Sequence, residues 1–374
     1  MLWSSARKEV TSAAGYLVIF IMPCLLWIGT SLEMPYLAFA VAVILLPLAR
    51  IVFGYARPGD QIFWHETVAT VLQYLPLLYA VALTFAVGAV LWHLANNHAG
   101  SVASILGLGL SLWMTMLLAT CVAHDLLHRR ERWMRLAGHW LAGFTGYPVL
   151  AFEHWSHHAR PNDTRGAQCP LQSDSVWRFS ARRIGRVFSH AYAIGAGFRI
   201  RRSPANSGYR QGLRVATAVT LITWACFALA GGWTGVLLYG GMMVGVTFGV
   251  QSITYIQHWG LGDDQLGVNQ AMNLGWEDDC QVQAWITLGL SFHMAHHEQS
   301  QRPYYRLTLT ADSPRLPAGY LLLMVLCFFP RAWKKMMLPA LQHWQRDPTH
   351  PRSSGRHLAC FALYRKRPEA AVNR

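Results

Sequence analysis

The sequence predicts an all-α integral membrane protein of six transmembrane helices, with a histidine-rich cap on one face. Three observations point there. The 374 residues are 53% hydrophobic and 13% charged, with a mean hydropathy of +0.22, whereas soluble domains carry about a quarter charged residues. Six stretches stay apolar for about 20 residues, the length that crosses a hydrocarbon core about 30 Å thick. Nine of the seventeen histidines lie just beyond long apolar runs, as His124 and His128; His154, His157 and His158; His258; and His293, His296 and His297.

The candidate spans are residues 13–32, 35–53, 68–93, 101–123, 213–232 and 233–252. Pro23 in the first and Pro76 in the third can kink a membrane helix without stopping it. Arg7 and Lys8 precede the first span and no small-residue cleavage pattern follows it, so it reads as a retained helix. Loop charge sets the orientation. The turns around Glu33, 93–100 and 231–235 lack Lys and Arg, whereas the opposite side carries Arg7, Lys8, Arg50, Arg57 and the basic stretches 129–135 and 178–214. The positive-inside tendency then makes both termini and the polar loops cytoplasmic, in a bacterial inner membrane. Parity agrees: four spans return the chain to the cytoplasm at His124 and two more return it there at His258, so all nine histidines can meet.

Between two histidine clusters, the Gly-broken apolar stretch 136–152 reads as an interfacial or re-entrant hairpin, since one crossing would separate them. The stretch 316–330, followed by Arg331, Lys334 and Lys335, reads as an interfacial helix. One membrane domain over 1–374 results, with helices within 13–123 and 213–252, a cytoplasmic metal-binding cap of 124–212 and 253–345, and a flexible tail at 346–374.

Chemistry comes from the histidine spacing. His124 and His128 stand four apart and share a helix face, and His154-x-x-His157-His158 and His293-x-x-His296-His297 each offer an i, i+3, i+4 trio. Neutral imidazole binds iron, copper, nickel or zinc, and nine exceed what one ion can use, so two ions are expected. Histidine-rich paired sites with open positions suit oxygen-activating iron better than zinc, whose protein sites are four-coordinate. Asp125, Glu153, and Asp263 or Asp264 are candidate acceptors for the far imidazole N–H groups. Trp113, Met114 and Met116 lead into the first cluster and are candidate channel residues, and Arg182, Arg183 and Arg186 are candidate docking residues for a redox partner or a substrate carboxylate. The seven cysteines are scattered without a Cys-x-x-Cys pair, which argues against a disulfide framework and a built-in rubredoxin or ferredoxin module. The net charge of +14 sits beside apolar runs, so lipid headgroups and an acidic protein, not nucleic acid, are the expected counter-charges.

Four motifs resemble those of the integral-membrane alkane hydroxylase family, within the larger group of membrane di-iron desaturases and hydroxylases. They are His124 to His128; Glu153-His154-Trp-Ser-His157-His158 with Pro161, Asp163 and the segment 175–182; Tyr255-Ile-Gln-His258-Trp-Gly-Leu261; and His293-Met-Ala-His296-His297 with Pro303, Tyr304, Tyr305, Arg306 and Leu307. The likeness covers most of residues 13–310. Three positions depart from the family pattern. Two residues rather than three separate His154 from His157, which is desaturase spacing, and Asp125 and Gln257 stand where the family has Glu. The resemblance implies two iron ions held by all nine histidines, dioxygen as oxidant, electrons from a rubredoxin or ferredoxin with its reductase, and an alkane or alkyl chain hydroxylated at a terminal carbon. Desaturation or decarboxylation of a fatty acid would use the same metals. A metal transporter, the third reading, would place ionisable residues inside the spans, and these spans are almost free of them.

Overall fold

The computed structural model describes residues 2–96, 100–195, 204–266, 274–347, 358–359 and 362–363. Helices α1 (Leu2–Tyr16) and α2 (Ile21–Ser31) are joined through one tighter 3-10 turn, Leu17–Phe20. Pro23 explains that turn: it has no N–H to offer the carbonyl four residues earlier, at Ile19. Helices α3 (Leu37–Phe53), α4 (Glu66–Asn96) and α5 (Val102–Leu127) follow. Ser101 opens α5, its hydroxyl accepting from Ser104 N–H at 3.1 Å.

The stretch Pro204–His258, α9, is helical throughout except at Gly232, whose φ of 56° and ψ of −135° reverse the chain. Trp224 Nε1 donates to the Val236 carbonyl at 3.1 Å and the Phe227 and Tyr239 rings meet at 5.0 Å. In a straight helix residues 224 and 236 would lie about 18 Å apart, so α9 is an antiparallel hairpin with its turn where the sequence separates 213–232 from 233–252. Among the described residues four helices are by length and composition able to cross a membrane, Ala6–Ser31, Glu66–Asn96, Val102–Leu127 and Gly208–Leu266, and Leu37–Phe53 is a shorter apolar helix. All six expected apolar stretches are therefore helical, but helix length alone does not set the number of crossings at six.

Helix α5 forms the centre, with every side chain from Ala119 to Leu127 buried. The second arm of α9 approaches it closely because Gly245 and Gly249 stand one turn apart: a methyl group would lie 2.7 Å from Trp113 at the first and 2.8 Å from Leu117 at the second. Large apolar side chains elsewhere face outward, as befits a lipid-facing surface. Trp92 near the end of α4 and Trp233 at the α9 turn are 72% and 80% exposed, on the side away from the histidines, in positions suited to a membrane–water boundary.

The stretch 136–152 is a hairpin of α6 (Arg132–Phe144) and α7 (Leu150–Ala159), turning at Gly146 with φ of +77°. Leu141, Ala142, Tyr147 and Val149 are buried and α6 packs on α5 and α9, so the hairpin lies inside the protein rather than on the lipid. Helix α8 (Val176–Gly195) packs on α9. Short helices α10 (Asp263–Leu266), α11 (Gln281–Ile286) and α12 (His293–Glu298) follow. In the region 316–330 helix α13 (Tyr320–Leu326) is brief, and the amphipathic element lies further on, in α14 (Pro330–Arg346). Trp333, Met337, Leu341 and Trp344 of α14 are buried, with Trp333 edge-on to Trp259 at 5.9 Å, while Arg331, Lys334 and Lys335 face out. Past Asp347 only Leu358–Ala359 and Ala362–Leu363 are described, as a two-residue antiparallel pairing; the remainder of the tail expected to be flexible lies outside the described residues.

Candidate metal centre

The nine clustered histidines converge at one end of the bundle, in two groups. His124, His128, His154, His158 and His296 form one and His157, His258, His293 and His297 the other, with the candidate ligand atoms of each group within 4.8 Å of one another. They arrive from four elements: the end of α5, α7, the last residue of α9, and α12. The sequence offers each trio as one helical face. The structure divides each, sending the i, i+4 pair His154 and His158 to the first group and His157 to the second, and His293 and His297 to the second and His296 to the first.

The donor set fits two cations. Ligands around one ion at about 2.0–2.1 Å lie up to about 4.2 Å apart, so shifts of a few tenths of an ångström per ring complete either shell. The ring contacts make little sense otherwise. His258 Nε2 meets His157 Nε2 at 2.9 Å and His293 Nε2 at 2.8 Å, and His293 Nε2 also meets His297 Nε2 at 3.0 Å. A neutral imidazole nitrogen has one in-plane hydrogen or one in-plane lone pair and serves one partner, so this chain of contacts is not satisfied by hydrogen bonds. Convergent lone pairs on a cation satisfy all of it. In the first group, His158 Nε2 lies 2.9 Å from His296 Nε2, and His128 Nε2 faces His154 Nε2.

Burial keeps these rings neutral. Desolvation, followed by the neighbouring imidazoles, holds His154, His157, His293, His296 and His297 well below the ordinary histidine value. Desolvation lowers His128 to about 3 and His158 to about 4. The sign of the pH effect follows. Above about pH 6.5 the rings are neutral in both folded and unfolded chains and stability is complete; as pH falls from there towards 3 the unfolded chain takes up protons the folded one refuses, and stability drops. The unfolding midpoint should be flat above about pH 7 and fall steadily below about pH 6, and a midpoint constant down to pH 4 would contradict it.

The carboxylates do not orient the imidazoles directly, contrary to the sequence expectation. Asp125 is held by Arg129, through Nε at 3.0 Å and Nη2 at 2.8 Å. Glu153 accepts from Arg183 Nε at 2.8 Å, from Tyr147 Oη, and from Gln251 Nε2 at 3.4 Å. Asp263 accepts from Thr164 Oγ1 at 2.8 Å, and Asp264 accepts from Gln265. Nδ1 of His157, His293 and His297 is buried without a partner. Helix packing, rather than a carboxylate on each ring, therefore sets the ring positions. Arg183 is buried on Glu153 and so belongs to the interior, whereas Arg182, paired with Asp174 at 2.8 Å, is half-buried and Arg186, donating to the Arg165 carbonyl at 3.0 Å, is exposed. His139 stays outside both groups, packed edge-on to Trp155.

One positioning residue escaped the sequence reading. Glu277, fully buried, accepts from Ala295 N–H at 3.1 Å in the first turn of α12, from Thr310 N–H at 3.0 Å, from Ser313 Oγ at 2.5 Å and from Arg315 Nη1 at 3.0 Å. It ties the helix carrying His293, His296 and His297 to a loop downstream. Its only signal in the sequence is an acidic run, Glu277 to Asp279, between apolar segments.

A cavity against the histidines is lined by Thr120, His124, His154, Val250, Gln257 and His293, among others. Through Cys121, Ile253, Gln257 and Leu290 it shares walls with an apolar cleft bounded by Leu46 of α3, Met114 and Leu117 of α5, and Met324 of α13. Of the expected channel residues, Met114 lines this cleft, Trp113 packs on Gly245 and Met116 is buried in the core.

The fatty acid desaturase family model matches residues 99–326, the part that holds all nine histidines. The chain is 25% identical over 353 residues to alkane 1-monooxygenase 1 of Pseudomonas aeruginosa, covering 90% of this chain and 92% of the relative. It is 24% identical over 270 residues to alkane 1-monooxygenase 2 of Alcanivorax borkumensis, covering 70% and 69%. A more remote relative is the xylene/toluene monooxygenase hydroxylase component of Pseudomonas putida, 23% identical over 254 residues and 67% of each chain.

Proposed function

The chain belongs to the fatty acid desaturase family, and on that footing we propose that it is a multi-pass membrane monooxygenase hydroxylating an alkane or alkyl chain at a terminal carbon. The observation that carries this reading is the juxtaposition of two convergent imidazole groups with an apolar cleft sharing the wall of their cavity. Names of relatives along most of the chain agree with it.

His124, His128, His154, His158 and His296 would hold one iron ion and His157, His258, His293 and His297 the other. Bound there, two iron ions supply the oxygen-activating redox chemistry that an unactivated C–H bond requires. The balance is fixed: one oxygen atom of O2 enters the C–H bond, and the other leaves as water with two electrons and two protons from outside. The protein's share is positioning and exclusion of water. Leu46, Met114, Leu117 and Met324 offer an alkyl chain a dry path, and Ile253 and Leu290 pass it to the histidine cavity. The five and four neutral donors that would hold the two ions stand against that cavity, where an alkyl chain arriving from the cleft would meet them. Electrons come from a separate rubredoxin or ferredoxin with its reductase, acidic enough to meet the basic loops on the histidine side, which is taken as the cytoplasmic face of an inner membrane.

The two-residue interval between His154 and His157 favours a second reading, desaturation or decarboxylation of a fatty acid. Membranes containing the protein, supplied with reductant and panels of alkanes and fatty acids, should yield primary alcohols on mass spectrometry. Terminal alkenes or internal double bonds without any alcohol would replace the first reading with the second.

A further inference from the structure

The cleft carries polar groups that a plain hydrocarbon leaves idle. Leu290 lines both the cleft and the histidine cavity, and the next residue, Ser291, lines the cleft with a hydroxyl that is buried and has no hydrogen-bond partner. Ser291 is 2% exposed. The backbone joins it to a second such group: Asp278 N–H donates to the Ser291 carbonyl at 3.0 Å, and the Asp278 carboxylate takes Arg50 Nη1 at 2.5 Å. Arg50, 6% exposed, lines the same cleft, and its Nε is buried without a partner. Ser291, next to Leu290, thus stands where the cleft meets the histidine cavity, and Arg50 lines the same cleft, whose apolar walls include Ala42, Leu46, Met114 and Leu321. A donor buried unmade is costly, and protein groups almost always avoid it.

We propose that the cleft receives an alkyl chain bearing one neutral oxygen, a hydroxyl or carbonyl, at its histidine-side end, with that oxygen accepting hydrogen bonds from Ser291 Oγ and Arg50 Nε. The oxygen is neutral because Asp278 already balances Arg50, so a carboxylate would bring an unpaired negative charge into a buried site. The inference rests on reading the cleft as the site of the alkyl chain, and it adds to that reading a polar end by which the cleft prefers a singly oxygenated chain over a plain hydrocarbon.

The test uses the full-length, metal-loaded protein in lipid nanodiscs, titrated with dodecane, 1-dodecanol and dodecanoate while the unfolding midpoint is followed. Dodecanol should half-saturate the protein at a concentration about tenfold below that of dodecane, and below that of dodecanoate. Ser291→Ala, which removes a hydroxyl the protein itself does not use, should leave the ligand-free midpoint in place and bring dodecanol to within about twofold of dodecane. Equal binding of dodecane and dodecanol by the parent protein, a dodecanol preference that survives Ser291→Ala, or tightest binding by dodecanoate would each overturn the proposal. Leu46→Trp, a partly buried wall residue outside the α5–α9 contact, fills the cleft and separates this from the reading beneath it: all three ligands should weaken, and if none does, the cleft is not the alkyl site at all.

Discussion

Replacing His293 by alanine should lower bound iron from about two ions per chain to one or fewer and reduce turnover by at least about a thousandfold, with the apoprotein still folded. His293 Nε2 faces both His258 and His297, so the substitution removes the middle of the second group. A four-imidazole site left with three loses a quarter of its donors and the ring that stands between His258 and His297. The measurement is iron by elemental analysis on purified protein, beside hydroxylation rate and the unfolding midpoint. Retention of two ions with full turnover would remove His293 from the ligand set, whereas substitution of His139, which lies outside both groups, should leave iron content unchanged.

The second large effect is expected from Arg183→Met. Arg183 is buried against Glu153, donating from Nε at 2.8 Å and from Nη1 to the Gln168 carbonyl at 2.7 Å. Removing the cation strands the Glu153 carboxylate among Tyr147 and Gln251, and breaking a buried pair in this way costs about 3–5 kcal/mol. Glu153 directly precedes His154 on α7, so the loss should reach both metal groups, which each take ligands from that helix. A double variant, Arg183→Met with Glu153→Gln, should recover much of the stability, because no buried charge is then left unpaired. If the double variant is no more stable than the single one, the Glu153 charge is not the source of the cost.

Much of this was legible in the sequence because its signals are local. Apolar stretches of span length and histidines four apart need no knowledge of distant partners, and each reappears as a helix or as a shared ligand group. What was missed depends on contacts between distant segments. Glu153 and Arg183 stand 30 residues apart and Glu277 and Arg315 38 apart, so the sequence shows acids near histidines without showing which arginine takes them. For the same reason Arg183 looked like a docking residue when it is part of the interior. The division of each trio was also hidden. Spacing puts three imidazoles on one side of a helix, but which of the two ligand groups each one joins depends on where the other three elements stand.

That division has a consequence for loading. His157 and His158 are neighbours in the chain yet belong to different groups, and so are His296 and His297. Whatever ion arrives first must fix the backbone of α7 and α12, and in doing so it sets the remaining imidazoles of both helices for the second. Metal uptake should therefore be cooperative, with singly loaded protein scarce at every sub-saturating iron concentration.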